Sequence, residues 1–151
     1  MKKKIIGLVL ALLTLTACGS DKVINGTDFN RNNIDWNVRS EQFSTDGRTA
    51  ESTDNNFYYS LGEYLGHQDV TIRYAFSKDT TLSMIFVYFP VEDEDEAQEV
   101  FNDLAGMCAE EYGKSVDTFS DSVFWEVDGV DISVQDMSED KDAIVLVYNA
   151  M

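Results

Sequence analysis

The sequence predicts an α+β domain: a two-layer sandwich in which an antiparallel sheet of about six strands packs on one main helix, over about residues 93–112. Three observations predict it. Apolar and polar residues alternate in "DVTIRYAF" and, more loosely, in "TLSMIFVYF", the period-2 mark of half-buried strands. A segment after Pro90 instead repeats its apolar residues at helical spacing,. Beyond it, "SVFWEV-DG-VDISV" reads as a hairpin, because Asp128 and Gly129 tolerate the positive φ angles of a two-residue type I′ turn,.

Taken in order, the segment from Trp36 to Asn56 is the least legible, with one short helix expected after Ser40, a residue suited to an N-cap,. Strands begin at Phe57. Val70, Ile72, Tyr74 and Phe76 alternate along the next strand, and a polar break of hairpin length, Ser77 to Thr80, leads into "TLSMIFVYF",. Pro90 ends that strand because it cannot donate to the ladder,.

In the helix, Ala97, Val100, Phe101, Leu104, Met107, Cys108 and Tyr112 fall on one face,. Asp93 can cap its N-terminus with Glu96 three residues on, and Gly113 stands where a C′ glycine belongs,. The hairpin follows, then a charged loop from Ser138 to Asp142, then the strand "AIVLVYN". Three strands on either side of a helix, with Phe86-Val87-Tyr88 echoed by Leu146-Val147-Tyr148, permit an ancestral duplication of an α-β-β-β unit.

Two strands are apolar on both faces. Leu82, Met84, Phe86 and Tyr88 oppose Ile85, Val87 and Phe89, while Ile144, Leu146 and Tyr148 oppose Val145 and Val147. One helix covers one face of a sheet. Either the Trp36–Asn56 segment covers the other, or a partner does. Tyr74, Phe86, Tyr88, Phe89 and Tyr148 are the candidate interaction residues, because interfaces draw their energy from a few aromatic side chains.

The N-terminus carries a different signal. Met1-Lys2-Lys3-Lys4 is followed by thirteen apolar or small residues, Ile5 to Ala17, too short for the roughly 20 needed to cross a bilayer. Charge, length and position fit a secretory signal peptide over residues 1–17. Leu15-Thr16-Ala17-Cys18 resembles the lipobox of bacterial lipoproteins. The resemblance implies that the Cys18 thiol receives diacylglycerol, that cleavage makes Cys18 the mature N-terminus, and that acyl chains such as palmitate tether the chain outside the cytoplasm. Each buried CH₂ adds about 0.8 kcal/mol to such a tether. The alternatives are a Cys18–Cys108 disulfide, or a signal peptide cut elsewhere. Gly19 does not specify a leaflet. Residues 18–33, polar and without periodicity, read as a flexible tether, and 34–151 as a single α+β domain,.

The formal charge is −17. Loss of the three signal-peptide lysines leaves eight basic residues against 28 acidic ones, or −20. This repels nucleic acid and anionic headgroups and admits a cationic protein or peptide as partner. The domain is also similar to small exported bacterial lipoproteins that carry a Trp near the start, a helix ending in Tyr-Gly, and a later Trp-bearing strand. Trp36, Tyr112-Gly113 and Trp125 stand in those places, although Asn37 follows Trp36 where such domains often have Gly. That resemblance implies fold and compartment, and no activity.

No motif for catalysis, a cofactor or a metal emerges. His67 is the single histidine, which excludes two-His metal motifs, and it reads as a solvent-facing turn residue. Cys108 sits on the apolar helix face, followed by Glu110 and Glu111, a setting that disfavours a thiolate,. The run Glu92 to Glu96 suits a helix start, where acids complement the macrodipole, better than a calcium loop. Glu139, Asp140 and Asp142 read as a solvated loop. The expected role is a lipid-anchored binding or interaction module rather than an enzyme. The alternative is an acidic immunity-type or inhibitor lipoprotein that neutralises a basic toxin or enzyme.

Overall fold

The computed structural model describes residues 29–43, 49–53 and 55–151. The signal peptide, Cys18 and the tether up to residue 28 lie outside the described residues. Those described form a 3₁₀ turn (Ser40–Gln42), strands β1 (Thr49–Thr53), β2 (Asn56–Tyr64), β3 (His67–Phe76) and β4 (Leu82–Pro90), and helix α1 (Glu94–Tyr112). They continue with β5 (Asp117–Thr118), β6 (Ser122–Val127), β7 (Val130–Asp136), the short helix α2 (Ser138–Lys141) and β8 (Ala143–Ala150). The class is α+β.

All strands join one antiparallel sheet in the order β1-β2-β3-β4-β8-β7-β6-β5. It has eight strands where the sequence predicts about six. The two additional ones, polar "TAEST" and the two-residue "DT", lie at the edges, where a strand needs no apolar pattern to be held. Each half is a four-stranded meander rather than an α-β-β-β unit, and the halves meet where β4 pairs with β8. The echo between the halves is out of phase. Tyr88 lies on one face of the sheet and Tyr148 on the other, since Ile85 pairs with Tyr148 and Tyr88 with Val145,.

Local signals built the elements as their chemistry dictates. The Asp93 carboxylate accepts from the Glu96 backbone N–H at 2.8 Å, and the Glu96 carboxylate accepts from the Glu92 N–H at 2.7 Å. The Glu92–Glu96 run is thus helix-capping chemistry. Gly113, at φ 81°, ends the helix by donating to the Ala109 carbonyl. Asp128 and Gly129 adopt φ 50° and 81° at the β6–β7 turn, as a type I′ turn requires.

One face of the sheet carries the main core. The cross-strand row Phe57–Tyr74–Ile85–Tyr148–Ile132–Trp125 runs through it, with Tyr59–Ile72–Val87–Leu146–Val134 alongside. Helix α1 lies over β6, β7 and β8 and buries Ala97, Val100, Leu104 and Cys108; Phe101 is only half-buried. The rest of this face is covered by the N-terminal segment. Phe43 wedges against Phe57, Tyr59, Tyr74 and Phe76, and Phe29 packs on Tyr64, Tyr74 and Tyr148. Arg31 pairs with Glu111 at 2.8 Å. Residues 29–33 therefore belong to the packed domain rather than to a tether. The Trp36–Asn56 segment enters through its first part, which shares the helix's face of the sheet instead of covering the opposite one.

Leu82 also departs from simple alternation. Ala75 pairs with Met84 but Phe76 pairs with Leu82, leaving Ser83 as the extra residue of a β-bulge,. The bulge turns Leu82 into the core, 3% exposed, away from Met84, Phe86 and Tyr88.

Candidate functional site

The face turned away from α1 is the candidate site. Its central row is Tyr58–Arg73–Phe86–Val147–Ser133–Phe124, and the next is Thr71–Tyr88–Val145–Gln135. Met84, Phe86, Tyr88 and Met137 pack around Ala143, Val145 and Val147 as a second, smaller apolar cluster. Phe86 and Tyr88 are half-buried and stack at 6.3 Å, 17° from parallel. Among the described residues, no helix or loop crosses the centre of this face; α2 flanks it at the end of β4.

Alternation along the strands separates the five predicted aromatic residues. Phe86 and Tyr88 belong to this face. Tyr74, Phe89 and Tyr148 are the correction: they point into the helix-side core and are at most 1% exposed. Phe89 has the opposite parity to Phe86 and Tyr88 on the same strand. Tyr74 and Tyr148 both flank Ile85 in the covered row.

Arg73 is the residue that sequence reasoning missed. Its guanidinium lies 3.8 Å from the Phe86 ring centre, with Tyr58 at 6.0 Å and Tyr88 at 5.9 Å. Its Nε is buried and has no hydrogen-bond partner. The Lys141 ammonium at the end of α2 approaches Tyr88 at 6.0 Å. Neither cation forms an ion pair among the described residues. Burial raises the pKa of Tyr88, disfavouring its ionisation, and the charge of Arg73 offsets part of that rise. A signal existed in the sequence: Arg73 is the one charged position inside "VTIRYAF", on the face where alternation puts polar residues.

Farther along the same side, Val116 (65% exposed) and Phe119 (57%) project beside Phe124. With Met84 and Val147 they line a groove of about 410 Å³. Near the start of α1, Glu92, Glu94, Asp121, Asp136, Glu139 and Asp140 rim an acidic cleft of about 770 Å³. Among the described residues no three His, Cys, Asp or Glu side chains are placed to hold a metal ion.

The remaining candidates are structural. His67 opens β3 instead of lying in a turn; it pairs with Tyr64 and sets its half-buried ring edge-on to Phe89 at 5.4 Å. Cys108 is fully buried, and burial pushes its thiol up to about 12, which disfavours the thiolate,. Burial likewise pushes Tyr64 up to about 12 and raises Tyr148. The Tyr112 and Tyr148 hydroxyls are close enough to perturb each other's ionisation, yet neither meets a partner at hydrogen-bonding geometry. No described helix is long and apolar enough to cross a membrane. The chain matches no protein-family model, and no curated protein or solved structure is similar to it.

Proposed function

We propose that this chain is a lipid-anchored, extracytoplasmic binding module of the bacterial cell envelope, whose partner docks on the sheet face opposite α1. One observation carries the docking surface. The helix and the Phe29–Phe43 segment share one face of the sheet, and the other keeps an apolar cluster of Met84 with the aromatic pair Phe86 and Tyr88, over which no described helix packs. Half-buried aromatic residues within a polar surround are what interfaces use as energetic centres. Support for the anchor comes from the sequence alone: the basic n-region, the short apolar run and Leu15-Thr16-Ala17-Cys18 agree on a lipidated Cys18,.

The test is photo-crosslinking on intact cells, with a benzophenone amino acid in place of Phe86 or, as a control, of exposed Asn102 on α1. A discrete adduct from position 86 and none from position 102 is expected. Equal or absent adducts would remove the docking surface. The second reading, an immunity-type or inhibitor lipoprotein directed at a basic protein, is favoured by the acidic cleft and the −20 mature charge. An adduct whose yield collapses between low and physiological salt would favour it, whereas a salt-insensitive adduct would favour aromatic docking.

A further inference from the structure

We propose that the pocket between Arg73, Lys141 and Tyr88 is a recognition site for a carboxylate-bearing ligand. The proposal concerns chemistry within the open face and stands whether or not a protein docks on the rest of it. The pocket measures about 360 Å³, with Tyr58, Thr71, Arg73, Tyr88 and Lys141 among its walls, within the range of small-ligand sites.

Acids outnumber bases 28 to 11 in this chain. Arg31 is paired with Glu111 and Arg39 with Glu41. Arg73 and Lys141 instead converge on one ring, and neither is ion-paired, although Asp69 and Asp142 line the same pocket. These two acids bring the pocket's formal charge to zero, against −17 for the whole chain. A neutral pocket admits one carboxylate at far smaller electrostatic cost than the remaining surface does.

Geometry specifies the ligand class further. The Arg73 guanidinium lies over Phe86, and with Nε buried its Nη edge is the part left for bidentate bonding to a planar anion,. A carboxylate matches that fork, with the Lys141 ammonium supplying a second, more mobile charge. The tyrosine rings and Pro90 give apolar walls for the carbon skeleton beside it. Two sources fit: a small free carboxylate of amino-acid size, or the C-terminal carboxylate of a peptide laid along the face.

The experiment titrates the mature lipidated chain in detergent micelles with four probes, N-acetylalanine, its amide, a tetra-alanine peptide with a free C-terminus, and inorganic phosphate. Binding is followed through the NMR signal of the Arg73 Nε–H. Saturable shifts with the free carboxylates are expected, and an affinity lower by roughly tenfold or more for the amide, the size of a lost charge-assisted pair. Arg73→Met should abolish binding, since it keeps an apolar chain on Phe86 but removes the fork. Lys141→Met should weaken it. Tighter binding of the tetrapeptide than of N-acetylalanine would identify a peptide terminus as the ligand, and equal binding a small carboxylate. The proposal is overturned if the amide binds as well as the acid, if phosphate binds more tightly than either carboxylate, or if no probe shifts the Arg73 signal. The amide comparison uses the unmodified protein, so it decides the matter even if Arg73→Met does not fold.

Discussion

The Trp125 indole N–H donates to the Gly113 carbonyl at 3.0 Å. This single bond ties the C-terminal cap of α1 to the strand that α1 covers. Trp36 packs against the same core from the N-terminal segment. Trp125→Phe keeps much of the apolar surface and removes the donor. It should cost about 1–3 kcal/mol, because the Gly113 carbonyl loses its partner next to a shallow void. Denaturant unfolding followed by circular dichroism reads this; a loss within about 0.3 kcal/mol would mean the bond carries no stability.

Leu104 and Phe101 separate the buried stripe of α1 from its flank. Leu104 is 1% exposed and sits over the second half of the sheet, so Leu104→Ala should cost about 2–5 kcal/mol. Half-buried Phe101 should lose less when truncated. The same unfolding experiment ranks them, and the reverse order would place the helix on a different face.

Cys108 links pH to stability. Its folded thiol titrates near 12, raised by burial above an ordinary value of 9.0. A raised folded pKa stabilises the fold fully below pH 9, and that contribution disappears as pH rises toward 12, at about 1.4 kcal/mol per pH unit for one group. Cys108→Ala should flatten the stability profile between pH 9 and 10, before Tyr64 contributes its own loss above pH 10. In the folded protein at pH 8 the thiol should resist Ellman's reagent and react only on unfolding. Rapid labelling of the native protein would contradict its burial.

Cys18→Ser tests the anchor. The substitution should leave an uncleaved precursor and abolish incorporation of labelled palmitate. Label retained on the Ser variant, or free release of the unmodified protein from cells, would end the lipoprotein reading.

Signals confined to a few neighbouring residues were legible in the sequence. Asp93 with Glu96, Gly113, and Asp128-Gly129 each specify their turn or cap through bonds to residues at most five positions away, and each is realised. Strand positions were legible for the same reason, because alternation is local. What alternation does not contain is the identity of the covered face. Tyr74 and Phe89 therefore entered the candidate surface although they belong to the core, and the Ser83 bulge moved Leu82 across the sheet against its apparent parity. The cover over β2 and β3 comes from Phe29 and Phe43, isolated aromatic residues in polar sequence, whose partners lie 14 to 119 positions away in the chain. Arg73 was missed because a charged residue on a strand's polar face looks like a solvent contact until its cross-strand neighbours, Tyr58 and Phe86, are known.

The central claim, that the face opposite α1 is free in the isolated protein and covered by a partner in the cell envelope, is tested most directly by hydroxyl-radical footprinting. The mature protein would be oxidised once after purification and once on intact cells. After purification, Met84, Phe86 and Tyr88 should be modified while Tyr59, Tyr74 and Tyr148 are protected. On cells the first three should become protected, with exposed Met151 unchanged as a control. Protection of Met84, Phe86 and Tyr88 already in the purified protein, or equal modification in both states, would contradict the account.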